Sequence, residues 1–211
     1  MFRNIFLLPL LWATAAPAAE TRAWNFQMFL DDREVGHHQF LVQRRQDGIK
    51  VRSEAKAEVR ILAIPLYRYH HLSEEQWSQG CVSAIRARTD NNGDTHHVSG
   101  ARLGGQLRLD TPAGARELDG CVRSFAYWDL ELLRGVKSLL NAETGQLHEV
   151  DLQALGPSPL PLGGGRAERY RLRNGESDID LWYQQGRWVA LQATLRTGGT
   201  LRYLLSREDQ G

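Results

Sequence analysis

The sequence has no excess of charge of either sign. Lys and Arg number 26 and Asp and Glu number 25, and removal of Arg3 with the N-terminal segment described below makes the two sets equal. Binding to nucleic acid by counterion release requires a basic surplus, and adhesion to an anionic membrane requires a polybasic patch. The composition, 42% hydrophobic and 24% charged, is typical of a folded globular protein. The sequence therefore predicts no nucleic-acid partner.

Long apolar runs are also scarce, and the longest lies at the N-terminus. Arg3 precedes the apolar stretch Ile5–Trp12, and residues 16–18 read Ala-Pro-Ala, the small-x-small pattern of a signal peptidase site. The run is shorter than the ~20 residues that a transmembrane helix needs. We expect residues 1–18 to be a signal peptide cleaved after Ala18, and the mature chain to be periplasmic with no transmembrane segment. A buried N-terminal strand is the alternative.

The local motifs of common catalytic and metal sites are missing. There is no G-x-S-x-G elbow and no H-E-x-x-H motif, and the glycine-rich stretch Leu162–Arg166 lacks the Lys-Ser/Thr of a phosphate-binding loop. Neighbouring side chains on a strand point to opposite faces, so an adjacent His pair offers one imidazole to a pocket. We therefore expect structural or solvated histidines, no metal site and no cofactor. The pairs are His37-His38, His70-His71 and His96-His97.

The sequence contains only two cysteines, Cys81 and Cys121. In an oxidising compartment an isolated pair usually forms a disulfide, so we predict a bridge between them. Two buried free thiols are the alternative. The absence of C-x-x-C argues against a redox-active dithiol.

Turn signals and alternating segments predict a mainly β fold. Dipeptides such as Asn92-Gly93, Asn174-Gly175 and Gln185-Gly186 recur along the chain and supply the positive φ angles of tight hairpins. Between them, Ile49–Ile61 alternates apolar or small residues with charged ones over its whole length. We predict one curved antiparallel sheet or half-barrel of about ten strands, forming a single domain over residues 19–211.

Two stretches are predicted to depart from the strands. Asp129 is a candidate N-cap followed by leucines and a valine near helical spacing, which predicts one short helix near 129–141. Pro157–Gly165 is predicted to be a flexible loop. The remaining C-terminal residues are predicted to form a four-stranded meander.

Asp178 and Asp180 lie two residues apart, on one face of a predicted strand. Glycosidases use paired carboxylates, but these flank a sugar-sized cleft on facing elements. Pairing across the hairpin with Arg169, Arg171 and Arg173 explains both sets of charges. We expect ion pairs here rather than catalysis.

An aromatic strand supplies the candidate binding site. Alternation over residues 67–77 places aromatic rings, a histidine and a carboxyl group on one face, and a second aromatic cluster follows Cys121. A cavity lined in this way suits a ligand with an apolar body and a polar end, although an ordinary core layer with satisfied polar tips has the same pattern. The candidate ligand-binding residues are Tyr67, Tyr69, His71, Glu75, Trp77, Tyr127 and Trp128.

The chain resembles a bacterial family of secreted proteins built on domain of unknown function six-one-three-four. Motifs along almost the whole mature chain carry the resemblance: Val35–Phe40, Tyr67–Tyr69 with Glu75–Trp77, Thr89–Gly93, Cys121 through Phe125–Trp128, Leu139–Asn141 with Thr144-Gly145, and Leu181–Tyr183. The family implies no activity. More distantly, the pattern is similar to the periplasmic lipoprotein carriers, in which a curved antiparallel sheet wraps an apolar cavity under helices. The single helical segment here departs from that pattern.

These features favour a non-enzymatic periplasmic binding or carrier protein for a lipid, an acyl chain or another amphiphile. Small residues on the inner strand face and the aromatic clusters motivate this hypothesis. One alternative is an envelope assembly or structural factor that binds an envelope protein and has no pocket. The other is a hydrolase or transferase in which His71 is the base and Glu75 its orienting carboxylate.

Overall fold

A computed structural model describes residues 20–61, 64–175, 178–195 and 198–210. The predicted signal peptide and its cleavage position at Ala18 lie outside the described residues. Within the described ranges, no helix has the length and apolarity needed to cross a membrane.

The described residues form fifteen strands and one helical turn. In chain order these are Glu20–Leu30 (β1), Arg33–Arg45 (β2), Gly48–Ile61 (β3), Ile64–Ser78 (β4), Cys81–Asn91 (β5), Asp94–Leu103 (β6), Gln106–Thr111 (β7), Gly114–Asp119 (β8), Leu130–Leu133 (α1), Ser138–Leu140 (β9), Leu147–Glu149 (β10), Asp151–Pro159 (β11), Arg166–Arg173 (β12), Asp178–Gln184 (β13), Arg187–Thr194 (β14) and Thr200–Gln210 (β15).

Thirteen of the strands form one antiparallel sheet. Its order is β11-β12-β13-β14-β15-β1-β2-β3-β4-β5-β6-β7-β8, so two meanders meet where β15 pairs with β1. Strands β8 and β11 are the two edges, and the described sheet is not closed. The predicted β class and the C-terminal meander are confirmed. The strand number exceeds the predicted ten because strands of three to six residues, such as β7 to β10, are too short to show a clear alternation.

The inner face of the sheet forms the core. Trp24, Phe26 and Met28 of β1 are buried at alternate positions, and Val51 and Ala55 of β3 are buried on the same face of the sheet. The intervening residues of β3 carry charges that pair along the outer face, for example between Arg52 and Glu74. The period-two pattern in the sequence therefore separates a solvated outer face from an apolar inner face.

A covering segment, residues 120–150, runs between the two edge strands and packs on the inner face. Its side chains Trp128, Leu133, Leu139 and Leu140 belong to the same buried cluster as the sheet residues. Strands β9 and β10 pair with each other within this segment. The sheet and the covering segment together enclose the interior of the protein.

The predicted helix near 129–141 is much shorter in the structure. Asp129 is its N-cap and accepts a hydrogen bond from the backbone N–H of Glu131 at 3.0 Å. Helix α1 ends after one turn, and Gly135 adopts a φ of 68°, a left-handed value that ends helices. Residues 138–140 form strand β9, which buries Leu139 and Leu140.

The predicted loop Pro157–Gly165 also begins later than expected. Strand β11 continues to Pro159, with Pro157 opposite Glu168 on β12. Proline has no N–H to donate and is tolerated on an edge strand, where one side of the backbone needs no partner. Because β11 is an edge strand, the two prolines do not interrupt it.

We expect Asp129→Ala to lower the free energy of unfolding by about 1 to 2 kcal/mol, because the substitution removes the N-cap and the ion pair with Arg44 at 2.6 Å. Asp129→Asn keeps a capping oxygen and loses only the charge, so it should cost less. Urea unfolding of both variants measures the difference. Equal losses would show that the cap contributes nothing to stability.

Candidate functional site

A cavity of about 270 Å³ lies between the inner face of the sheet and the covering segment. Strands β2, β3 and β4 supply one wall, and residues 124–128 and 140–143 supply the opposite wall. Ser53 and Ala55 of β3 are small, which leaves the space that larger side chains would fill. The apolar part of the lining consists of Phe40, Val51, Ala55, Phe125, Trp128, Leu140, Ala142 and Ile179.

Five of the seven candidate ligand-binding residues line this cavity: Tyr69, His71, Glu75, Tyr127 and Trp128. Three of them alternate along β4, and the other two belong to the covering segment. Their convergence follows from the crossing of that segment over β4.

The other two candidates, Tyr67 and Trp77, do not line the cavity. Tyr67 is 36% exposed, near a register shift in the pairing of β3 with β4. Trp77 is fully buried beside the cavity. Its Nε1 donates to Glu75 at 2.9 Å, and its ring meets that of Trp128 edge-on at 5.8 Å. Trp77 therefore packs outside the cavity against two residues that line it, Glu75 and Trp128.

The buried carboxyl group of Glu75 is held by three donors. Ser124 Oγ donates at 2.7 Å, Trp77 Nε1 at 2.9 Å and Ser73 Oγ at 3.4 Å. Burial raises the pKa of Glu75, although these hydrogen bonds act in the opposite direction. The Ser124 bond also ties the covering segment to β4.

His71 presents one ring nitrogen to the cavity. Its Nδ1 is hydrogen-bonded to Thr89 Oγ1 at 2.8 Å. Its Nε2 has no hydrogen-bond partner among the described residues, and this nitrogen is not fully enclosed by protein atoms. Burial lowers the pKa of His71, and the nearby Glu143 carboxylate opposes this shift in part. The imidazole is therefore mainly neutral at neutral pH.

The base and orienting carboxylate expected for a hydrolase are not assembled. Within the described part of the chain, Glu75 bonds to serines and a tryptophan, and His71 bonds to Thr89. The carboxylate that acts electrostatically on His71 is instead Glu143.

His38 was expected only as a structural or solvated member of a histidine pair and was not among the ligand-binding candidates, but it lines the cavity. Its Nε2 lies 2.7 Å from Ser53 Oγ and its Nδ1 lies 3.3 Å from Tyr203 Oη. The ring centroid is 4.2 Å from that of Phe40. Burial, followed by the neighbouring His71, lowers the pKa of His38 to about 3. The sequence feature that could have identified His38 is its even spacing from Phe40 and Val42, which places it on the inner face of β2.

Glu143 is the second lining residue that the sequence did not reveal. It follows β9, and its backbone N–H donates to Asn141 Oδ1 at 2.7 Å. Its carboxylate accepts a hydrogen bond from the Tyr69 hydroxyl, and burial together with Glu143 raises the pKa of Tyr69. A single glutamate in a connecting loop carries no sequence signal, because its position depends on how the loop packs.

The aspartates of β13 form ion pairs away from the cavity. Asp180 is buried and is bound by Arg169 and by Arg171, at 2.8 Å for the latter. Asp178 lies 3.6 Å from Arg171 and 3.7 Å from Arg173. Burial alone would raise the pKa of Asp180, but the two guanidinium groups outweigh it and lower the pKa. The expected cross-strand pairing is confirmed.

Comparison with known proteins supports the family and the fold. The family model described as "Domain of unknown function (DUF6134)" matches residues 26–206. The fold is similar to that of a solved β-barrel-like protein of domain of unknown function DUF1849 from Brucella abortus, with a TM-score of 0.62 and 10% identity. That similarity covers 92% of this chain and 99% of the other. No curated protein sequence matches the chain.

Proposed function

The chain belongs to the DUF6134 family of domains of unknown function, and we propose that this protein is a non-enzymatic periplasmic carrier of an amphiphile with a single apolar chain. The ligand binds in the cavity under the covering segment. The observation that carries the proposal is the cavity itself, whose wall combines apolar and aromatic side chains with those of histidine, serine, asparagine and glutamate. Small-molecule sites combine apolar walls with polar groups that fix the orientation of the ligand.

The protonation states of the cavity suit a ligand that is mostly apolar. His38 and His71 are neutral at neutral pH, and burial keeps Tyr127 and Tyr203 protonated by raising their pKa values. Neutral side chains cost less to strip of water than charged ones. An alkyl chain can therefore lie against these rings at a lower electrostatic cost than it could against charged ones.

The cavity volume narrows the choice of ligand. About 270 Å³ is just below the range of roughly 300–1,000 Å³ that is usual for ligand sites. A single alkyl or acyl chain of moderate length fits such a space, and a lipid with two long chains does not. The proposed ligand is a single-chain amphiphile, or one chain of a larger lipid.

The carrier role predicts that ligand accompanies the protein. Native mass spectrometry of protein purified from the periplasm should show a bound mass that is released by denaturation. Isothermal titration of delipidated protein with octan-1-ol should show saturable binding at one site. A clean apo mass together with no binding of octan-1-ol would overturn the proposal.

Filling the cavity should weaken binding while the protein stays folded. Ala55 lies on β3 between His38 and His71 and lines the cavity, so the larger side chain of Ala55→Leu would occupy space that the ligand needs and should weaken octan-1-ol binding about tenfold or more. Ala101→Leu, on the exposed face of β6, is the matched control and should bind normally. Unchanged binding by folded Ala55→Leu would place the ligand elsewhere.

A further inference from the structure

The described lining of the cavity offers no positively charged side chain with which to bind an anion. None of its described lining residues is Lys or Arg, and its two histidines are neutral at neutral pH. Two carboxyl groups, those of Glu75 and Glu143, face the same space. A fatty-acid carboxylate or a phosphate group placed there would be desolvated without a counter-charge, at a high cost.

The carboxylate of Glu143 lacks the ion-pair partner that two shielded aspartates have among the described residues. Asp180 pairs with two arginines, and Asp129 pairs with Arg44. Glu143 is half-buried, and within the described residues no Lys, Arg or His nitrogen forms an ion pair with it. Its described side-chain hydrogen bond comes from the Tyr69 hydroxyl, which carries no charge.

Resting on the proposed function, we infer that the polar group of the ligand is an ammonium ion, and that it pairs with Glu143 while the alkyl chain occupies the apolar part of the cavity. One ammonium N–H donates to the Glu143 carboxylate. A second can donate to His71 Nε2, which is an acceptor in the tautomer that donates from Nδ1 to Thr89 Oγ1. The aromatic rings of the lining favour a cation further.

Three ligands of equal chain length test the inference: octylammonium, octan-1-ol and octanoate, each titrated below its micellar concentration into the purified protein. We expect octylammonium to bind about tenfold to a hundredfold more tightly than octan-1-ol, because its ammonium group forms a charge-assisted hydrogen bond with the Glu143 carboxylate and a bond of this kind contributes about that gain in affinity. Octanoate should bind most weakly. The neutral alcohol reports on the apolar cavity alone.

Glu143→Gln isolates the charge. It keeps an acceptor for Tyr69, and it should reduce the affinity for octylammonium about tenfold to a hundredfold while leaving octan-1-ol binding nearly unchanged. Retained binding of the alcohol also shows that the variant is folded. Glu149→Gln removes the same charge from an exposed position on the covering segment and serves as the matched control.

The outcomes separate the inference from the proposed function. If octan-1-ol binds but octylammonium binds no more tightly, or if Glu143→Gln leaves the affinity for octylammonium unchanged, the ammonium site is overturned and the carrier proposal stands. If none of the three ligands binds, the carrier proposal fails and the inference fails with it.

Discussion

Replacing Cys81 with Ser is expected to lower the free energy of unfolding by about 4 kcal/mol, and Cys121→Ser should have the same effect. The predicted disulfide is present, with Cα atoms 5.2 Å apart and a sequence separation of 40. A bridge stabilises a protein mainly by restricting the unfolded chain, and a loop of this length corresponds to about 4 kcal/mol in the chain-entropy model. Both substitutions open the same loop, so their costs should be equal.

The position of the bridge gives it a second role. Cys81 begins β5, and Cys121 lies where the chain leaves β8 and enters the covering segment. Next to the bridge, the N–H of Val82 donates to the carbonyl of Val122 at 2.8 Å, and Arg123 donates to the carbonyl of Gly80 at 3.1 Å. These contacts hold one end of the covering segment over the cavity, so the variants should also bind octan-1-ol more weakly.

Chemical unfolding of the wild type, both single variants and the double Ser variant measures the effect. The double variant should equal each single variant, because the second substitution has no bridge left to break. Reduction of the wild type should reproduce the same loss. Unequal single variants, or an additive double variant, would show that local packing of the thiols and not the loop closure determines the cost.

The sequence predicted the parts of the fold that depend on local periodicity. Alternation along β3 identified its buried face, and dipeptides such as Asn92-Gly93 identified turns in which both residues have positive φ angles. The covering segment was harder to predict. Leu139 and Leu140 can satisfy either a helical or an extended pattern, and their burial on the sheet, not their spacing, determined which one forms.

The candidate site shows the same division between local and long-range signals. Tyr69, His71 and Glu75 were found because alternation on one strand places them together. Glu143 comes from a loop that is far away in sequence, so its contact with Tyr69 depends on packing that no local pattern encodes. His38 lies between these cases. The alternation along β2 indicates which face of the sheet it occupies, but it does not indicate that this face borders a cavity.

Acid is expected to destabilise this protein through His38. The pKa of this ring is about 3 in the folded protein, mainly because of burial, against 6.5 for an ordinary histidine. Between pH 6.5 and about pH 3, His38 is protonated in the unfolded chain but remains neutral in the folded protein. The free energy of unfolding therefore falls as the pH drops through this window. The slope is about 1.4 kcal/mol per pH unit.

The total loss is up to about 5 kcal/mol between pH 6.5 and pH 3, and water in the cavity would reduce it by solvating the charged ring. His38→Gln removes the titrating group while keeping polar atoms for Ser53 and Tyr203. Urea unfolding at several pH values between 7 and 4 should give a flatter profile for this variant than for the wild type.

The comparison of variants isolates His38 from the other titrating groups. Burial of Glu75 raises its pKa, so the folded state retains that proton longer, and its contribution to stability falls as the pH rises above about 4.5, opposite in sign to that of His38. Subtracting the two profiles removes such shared contributions. His97→Gln, at an exposed position on β6, is the control because this ring does not act on His38, and its profile should stay steeper than that of His38→Gln. Equal slopes for His38→Gln and the wild type would show that the folded protein accommodates a charged His38, and the cavity would then be too well solvated for a purely apolar ligand.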